Sequence, residues 1–163
     1  MNVNLLLCHA IPLIIGIMIF KKKSRYPLLS MPKEVFNYTK KTCKKNTKIG
    51  ILCTEATLKT KVYHQYFDKK YELISPTKNL QKSSVNKSIK YVKMGKVKEA
   101  EKVLRPAVNQ LIKKKCKKII LGCTELPIAL FAYKSFKKAK DSKLFIDPNL
   151  LLAQVCMRKY KNN

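Results

Sequence analysis

"KKIILGCTELPIALF", residues 117–131, carries the decisive pattern of this chain: a short apolar run that ends in glycine, followed at once by a helical pattern. A run of this length bounded by lysines and Gly122 reads as a buried strand, and "TELPIALFAYKSF" (124–136) reads as the helix that leaves it. Cys123 stands at the junction. In open α/β sheets, ligands and reacting groups gather at such strand C-terminal ends. The first N–H groups of the helix would favour thiolate over thiol at Cys123, Thr124 can donate a hydroxyl, and Glu125 can cap the helix or accept a proton. A small buried cysteine packing a strand-to-helix corner fits the same pattern.

The alternation repeats along the chain. "YPLLSM" (26–31) reads as a strand and "PKEVFNYTKKTC" (32–43) as a helix with Pro32 in its first turn. "TKIGILC" (47–53) is a buried strand and Thr54 to Phe67 a helix. "YELIS" (71–75) is a strand closed by Pro76. A helical stretch runs from about Ser83 to Lys115, broken at Met94-Gly95 and perturbed again at Pro106. "KLFID" (143–147) is the last strand, and "PNLLLAQVCMRKY" (148–160) the closing helix. Strands separated by helices imply parallel pairing through right-handed crossovers, so the fold class is α/β, a Rossmann-like or flavodoxin-like open parallel sheet. The second strand-to-helix corner, "GILCTEATLKT", puts Thr54 and Thr57 among free helix N–H groups. It reads equally as a carboxylate-binding corner and as ordinary N-capping.

Composition excludes less than its extremes suggest. The formal net charge of +27 comes from 36 Lys+Arg against 9 Asp+Glu. Such a balance suits nucleic acid, an anionic surface or an acidic small molecule, and equally a lysine-rich solvated surface. The cations are spread along the whole chain, and no aromatic-basic ribonucleoprotein motif or helix-turn-helix signature is present, so nucleic acid is not expected as a partner. The six cysteines form no C-x-x-C pair and have no histidine at ligand spacing, so neither a metal nor a disulfide framework is expected. A reducing, cytoplasmic location follows.

Four segments in order, "KIGILCTEATLKTKVYHQYF", "YVKMGKVKEAEKVL", "IILGCTELP" and "FIDPNLLLAQ", resemble the second half of the cofactor-independent aspartate/glutamate racemases. The Leu121–Pro127 match is specific. The Ala-Thr-x-Gly-Thr element of the family is matched at Cys53–Thr57 with Cys53 for Ala and Ala56 for Gly, and Asn149 stands where the family has Thr. The resemblance covers roughly Tyr26 to Met157. It implies two pseudo-symmetric α/β domains around a cleft and no cofactor. Two cysteines face opposite sides of the substrate α-carbon, one removing a proton and the other returning one. Cys123 maps onto the second-domain cysteine, Thr54, Thr57 and Thr124 onto substrate-contacting positions, and Lys98 onto a basic position pairing with a carboxylate; Glu125 supports the cysteine. The implied substrate is aspartate or glutamate, and the family implies homodimers formed through the first domain. On this basis residues 21–45 are read as a remnant of the first domain, 46–145 as the second domain, and 146–163 as a helix returning to the first.

The family's first cysteine lies in a Pro-Cys-Asn-Thr-Ala-His motif, whose place is held here by "CHAIPLIIGIMIF" (8–20). Read two bases later, one consistent choice of codons for these residues spells that motif. The Phe20-Lys21-Lys22-Lys23 run that follows can be encoded by adenines prone to slippage. Residues 1–20 are therefore read as an out-of-frame apolar segment, Cys8 is not the family's first cysteine, and the chain is expected to be a racemase fragment with little or no activity. The rival readings are a membrane anchor at residues 3–20, which His9 and Pro12 interrupt, and a basic α/β domain that binds an anion or nucleic acid without catalysis.

Overall fold

The computed structural model describes residues 6–8, 28–67, 70–131 and 143–161. The described strands all pair in parallel. In chain order the elements are β1 (Leu6–Cys8), β2 (Leu28–Ser30), α1 (Met31–Thr42), β3 (Lys48–Cys53), α2 (Glu55–Thr60), α3 (His64–Phe67), β4 (Glu72–Ile74), α4 (Lys78–Leu80), a π-helical turn (Gln81–Asn86), α5 (Lys87–Lys93), α6 (Val97–Lys113), β5 (Lys118–Gly122), α7 (Glu125–Phe131), β6 (Phe145–Ile146) and α8 (Pro148–Lys161). The main sheet has the order β4-β3-β5-β6, with Ile49 opposite Lys118 and Cys53 opposite Gly122. This is the flavodoxin-like winding: β3 sends its first crossover to one side, and the later strands β5 and β6 lie on the other. β1 and β2 form a separate parallel pair, Leu6 opposite Leu28. A strand within the opening apolar segment was not expected from the sequence.

Alternation along β3 and β5 divides the core into two layers. Leu52, Ile119 and Leu121 face one side and pack with Val85 of the π-helical turn, Ile89 of α5, Leu104, Val108 and Leu111 of α6, and Leu126 and Leu130 of α7. Ile49, Ile51, Cys53 and Ile120 face the other side, against Val35 of α1, Tyr63, Phe67 and Leu151 of α8. Gly50 is the point of closest approach. A Cβ placed on it would lie 2.9 Å from Leu111 Cδ1 and 3.1 Å from Ile119 Cγ1. Gly50→Val should therefore lower stability by about 1–3 kcal/mol through overpacking, read as a lower urea midpoint with an unchanged slope.

Two local expectations are corrected. The helix expected over Thr54–Phe67 is two short helices, because Lys61 takes a left-handed conformation (φ 53°) that ends α2. The long helical stretch starts at Lys78, earlier than expected, and α6 runs through Pro106. Pro106 is on the exposed side, and so is Lys102, whose carbonyl loses its usual N–H partner there. The break at Met94-Gly95 is present. Gly95 (φ 73°) and the bonds Gly95 N–H to Val92 O and Lys96 N–H to Tyr91 O form a Schellman cap. Of the helix expected over 124–136, the part after Phe131 lies outside the described residues.

Candidate active site

The C-terminal ends of β3 and β5 meet at the point where the winding reverses, the crevice in which open α/β sheets bind their ligands. Gly122 lets the two ends close. A Cβ on it would stand 3.0 Å from Cys53 Cβ, 3.4 Å from Leu52 O and 3.5 Å from the Tyr63 ring. Cys123 follows at the mouth, and Cys53 lies beneath it, fully buried.

Cys123 is tied to a carboxylate. Its Sγ–H donates to Glu125 Oε2 at 2.9 Å, and the Thr124 hydroxyl donates to the same oxygen at 2.9 Å. The Lys93 ammonium lies 3.5 Å from Glu125 Oε1. Burial pushes the Cys123 thiol up to about 12. The hydrogen bond to Glu125 and its negative charge add to this, while the Glu125 backbone N–H and Lys93 pull the other way. Burial also works to raise Glu125, but the bonds from Cys123, Thr124 and its own backbone N–H, with Lys93, hold its carboxyl below the ordinary range. The thiolate expected from the helix N-terminus is thus a thiol. One turn of partial positive charge is outweighed by desolvation and a full negative charge at hydrogen-bond distance.

The second corner is a cap. Thr57 N–H donates to Thr54 Oγ1 at 3.2 Å, and the two hydroxyls lie 2.9 Å apart. Thr57 is buried and also bonds the Cys53 thiol, whereas Thr54 is half-buried at the mouth. Burial raises Cys53 well above the ordinary thiol range, with a further contribution from Cys123, against the Thr57 bond. Tyr63 is raised by burial, then by Cys53 and Cys123.

Cys123, Thr124 and Glu125 are brought together as expected, with Thr54 and Thr57 on the adjoining strand end. Lys98 is exposed in the first turn of α6 and makes no ion pair with a carboxylate among the described residues. The lysine at the corner is Lys93, the last residue of α5. Sequence reasoning also missed Tyr63 and a chain of amides: Gln81 Nε2 donates to Cys53 O (2.8 Å) and to Asn86 Oδ1 (2.9 Å), and Asn86 Nδ2 donates to Glu55 Oε1 (2.9 Å). The one sequence signal among them is that Asn86 and Lys93 are two helical turns apart and share a face of the crossover helix. Among the described residues no group of His, Cys, Asp or Glu could hold a metal ion. None of the described helices is long and apolar enough to cross a membrane.

Winding and corner together define a flavodoxin-like α/β domain with a thiol–carboxylate pair at its switch point. Comparison with known proteins is specific. The family model described as Asp/Glu/Hydantoin racemase matches residues 15–156, and the chain belongs to this family. It is 28% identical over 143 residues to a glutamate racemase of Carboxydothermus hydrogenoformans, covering 86% of this chain and 51% of that protein. It is 34% identical over 85 residues to an uncharacterized protein in the pnlA 3′ region of Pectobacterium carotovorum subsp. carotovorum, covering 52% of this chain and 56% of that protein. The chain therefore spans about half the length of the curated relatives it matches. Among solved structures, the Picrophilus torridus aspartate racemase superposes with a TM-score of 0.66 at 25% identity, over 86% of this chain and 57% of that one. A putative Asp/Glu racemase from Yersinia pestis superposes with a TM-score of 0.76 at 20% identity, over 94% of this chain and 64% of that one, a likeness of fold.

Proposed function

We propose that this chain carries one half of a cofactor-independent amino-acid racemase site acting on aspartate or glutamate, with Cys123 as the acid–base thiol for one face of the α-carbon. The observation that carries the reading is the 2.9 Å bond from Cys123 Sγ to Glu125 at the switch point, beside a lysine ammonium. A thiol held in this way is a proton donor to a carbanion formed above it, and the thiolate left behind keeps the Glu125 backbone N–H as its partner. In the opposite direction that thiolate takes the α-proton. Lys93, two-thirds exposed, has donors to spare beyond Glu125 and is placed to neutralise a substrate carboxylate; this part falls to Lys93 rather than Lys98. Thr54 and Thr124 offer hydroxyls at the rim.

Racemisation by two bases needs a second thiol on the other face. Among the described side chains the remaining cysteines do not supply it: Cys53 is sealed beneath the corner, Cys116 precedes β5 at the far end of the sheet, and Cys43 and Cys156 follow α1 and lie on α8. The 163-residue chain on its own is therefore expected to invert aspartate little or not at all, while still binding it. Proton NMR in D2O reads exchange of the α-proton, chiral chromatography reads inversion, and calorimetry reads binding. Lys93→Ala should weaken aspartate binding about tenfold, the loss of a charge-assisted contact. Deuteration of the α-carbon that Cys123→Ala abolishes would overturn the expected inactivity and establish the role of Cys123. A chain that binds neither aspartate nor glutamate would sink the substrate reading.

A further inference from the structure

The chain carries 36 cationic side chains and 9 acidic ones, and its carboxylates differ in what holds them. Glu72 sits on Lys48, Glu101 on Arg105 and Glu125 on Lys93. Glu34, Asp147 and Glu55 are half-buried with no ion pair among the described residues, and Glu55 opens α2 just after the end of β3. Its Oε1 is held instead by the neutral Asn86 amide at 2.9 Å.

The way Asn86 is held shows that this arrangement is built. Gln81 is 4% exposed, and its nitrogen spends both hydrogens, one on the Cys53 carbonyl that ends β3 and one on Asn86 Oδ1. Its own Oε1 is buried and has no donor. Gln81 and Asn86 open and close the π-helical turn. The wider π-helical turn brings residues five apart onto one face, which a regular α-helix would not do, and such turns recur at functional sites. Asn86 is thereby fixed with its amide donating, and it presents a carboxylate that keeps its second oxygen. Two turns further on, the same helix face carries Lys93 to Glu125 beside Cys123. The crevice therefore has the Lys93–Glu125 ion pair over the end of β5 and an uncompensated negative charge over the end of β3.

We propose that Glu55, positioned by Asn86 and Gln81, accepts the primary ammonium group of the ligand bound in this crevice. The proposal rests on the amino-acid reading above and adds to it the group that reads the α-ammonium. A carboxylate oriented by a neutral donor keeps its full charge for an incoming N–H cation, whereas a lysine partner would have to be displaced first.

The experiment compares two ligands with the same pair of carboxylates, L-aspartate and succinate, by calorimetry on the 163-residue chain. A desolvated charge-assisted hydrogen bond should make aspartate about tenfold tighter or more. Glu55→Gln, which keeps the shape and the Asn86 bond, should bring that preference to about one without weakening succinate, and Asn86→Ser should give an intermediate preference. Lys93→Ala should weaken both ligands alike. Circular dichroism confirms that each variant is folded. A preference for aspartate that survives Glu55→Gln, or none in the parent chain, overturns the assignment of Glu55 and leaves the amino-acid reading standing. Failure of the parent chain to bind either ligand removes that reading and this assignment together.

Discussion

A Glu125→Gln chain should be alkylated at Cys123 about tenfold faster or more than the parent chain at pH 8. The thiol stands at about 12 in the parent. Only roughly one molecule in ten thousand then carries a thiolate at pH 8, and each unit by which the value falls multiplies that fraction by ten. Burial is the first cause of the shift and persists in the variant. The two contributions from Glu125, the hydrogen bond it accepts from Sγ–H and its negative charge, are both removed. The backbone N–H at residue 125 still points to sulfur and still favours the anion. Lys93→Ala should move the rate the other way, because Lys93 lowers the thiol in the parent. Iodoacetamide labelling across pH, followed on the Cys123 peptide by mass spectrometry, separates this thiol from the other five. An unchanged or slower rate in Glu125→Gln would mean that the carboxylate does not hold the Cys123 proton.

The contrast between what the chain announces and what it conceals follows range along the sequence. Strands β3 and β5 and helices α1 and α8 are written in contiguous runs whose composition and flanking prolines or glycines act locally, and they form close to where those signals place them. Gly95 marks its cap because a left-handed residue at that point favours glycine. Lys61 takes the same conformation with no such signal, so the break after α2 was not legible. Nor was the π-helical turn, whose first residue, Gln81, bonds the Cys53 carbonyl 28 residues away.

The site divides in the same manner. Cys123, Thr124 and Glu125 are consecutive and recognisable as a motif, and their mutual bonds were foreseeable from adjacency. Lys93, Asn86 and Gln81 come from the crossover between β4 and β5, and they reach the corner only because that crossover packs over the strand ends. The protonation state of Cys123 is hidden from the sequence for a related reason. The helix N-terminus is visible in the sequence, but the depth of burial and the direction of the Glu125 side chain are properties of the folded packing.

Cys53 makes the stability of this fold depend on alkaline pH more steeply than its surface would. The thiol is fully buried, and desolvation, with a contribution from Cys123, holds it protonated well above the ordinary thiol value, against the Thr57 bond. In the unfolded chain the same group releases its proton near pH 9. Above that pH the unfolded state binds fewer protons than the folded one, so stability falls as pH rises. It falls by about 1.4 kcal/mol per pH unit for one retained proton, roughly 2–3 kcal/mol between pH 9 and 11. That is a large share of a domain's 5–15 kcal/mol or so. Cys53→Ala removes this one proton from the balance. At pH 7.5 the variant should lose about 1 kcal/mol of packing from the sulfur, and by pH 11 it should equal or exceed the parent. The lysines begin to lose their charge over the same range and change both chains equally, so the difference between the two urea unfolding curves is the quantity that reports Cys53. Curves that stay parallel from pH 7.5 to 11 would show that the folded chain releases this proton as readily as the unfolded one. The corner would then have to open to solvent in the native state, and the seal that Gly122 and Tyr63 place over Cys53 would not hold.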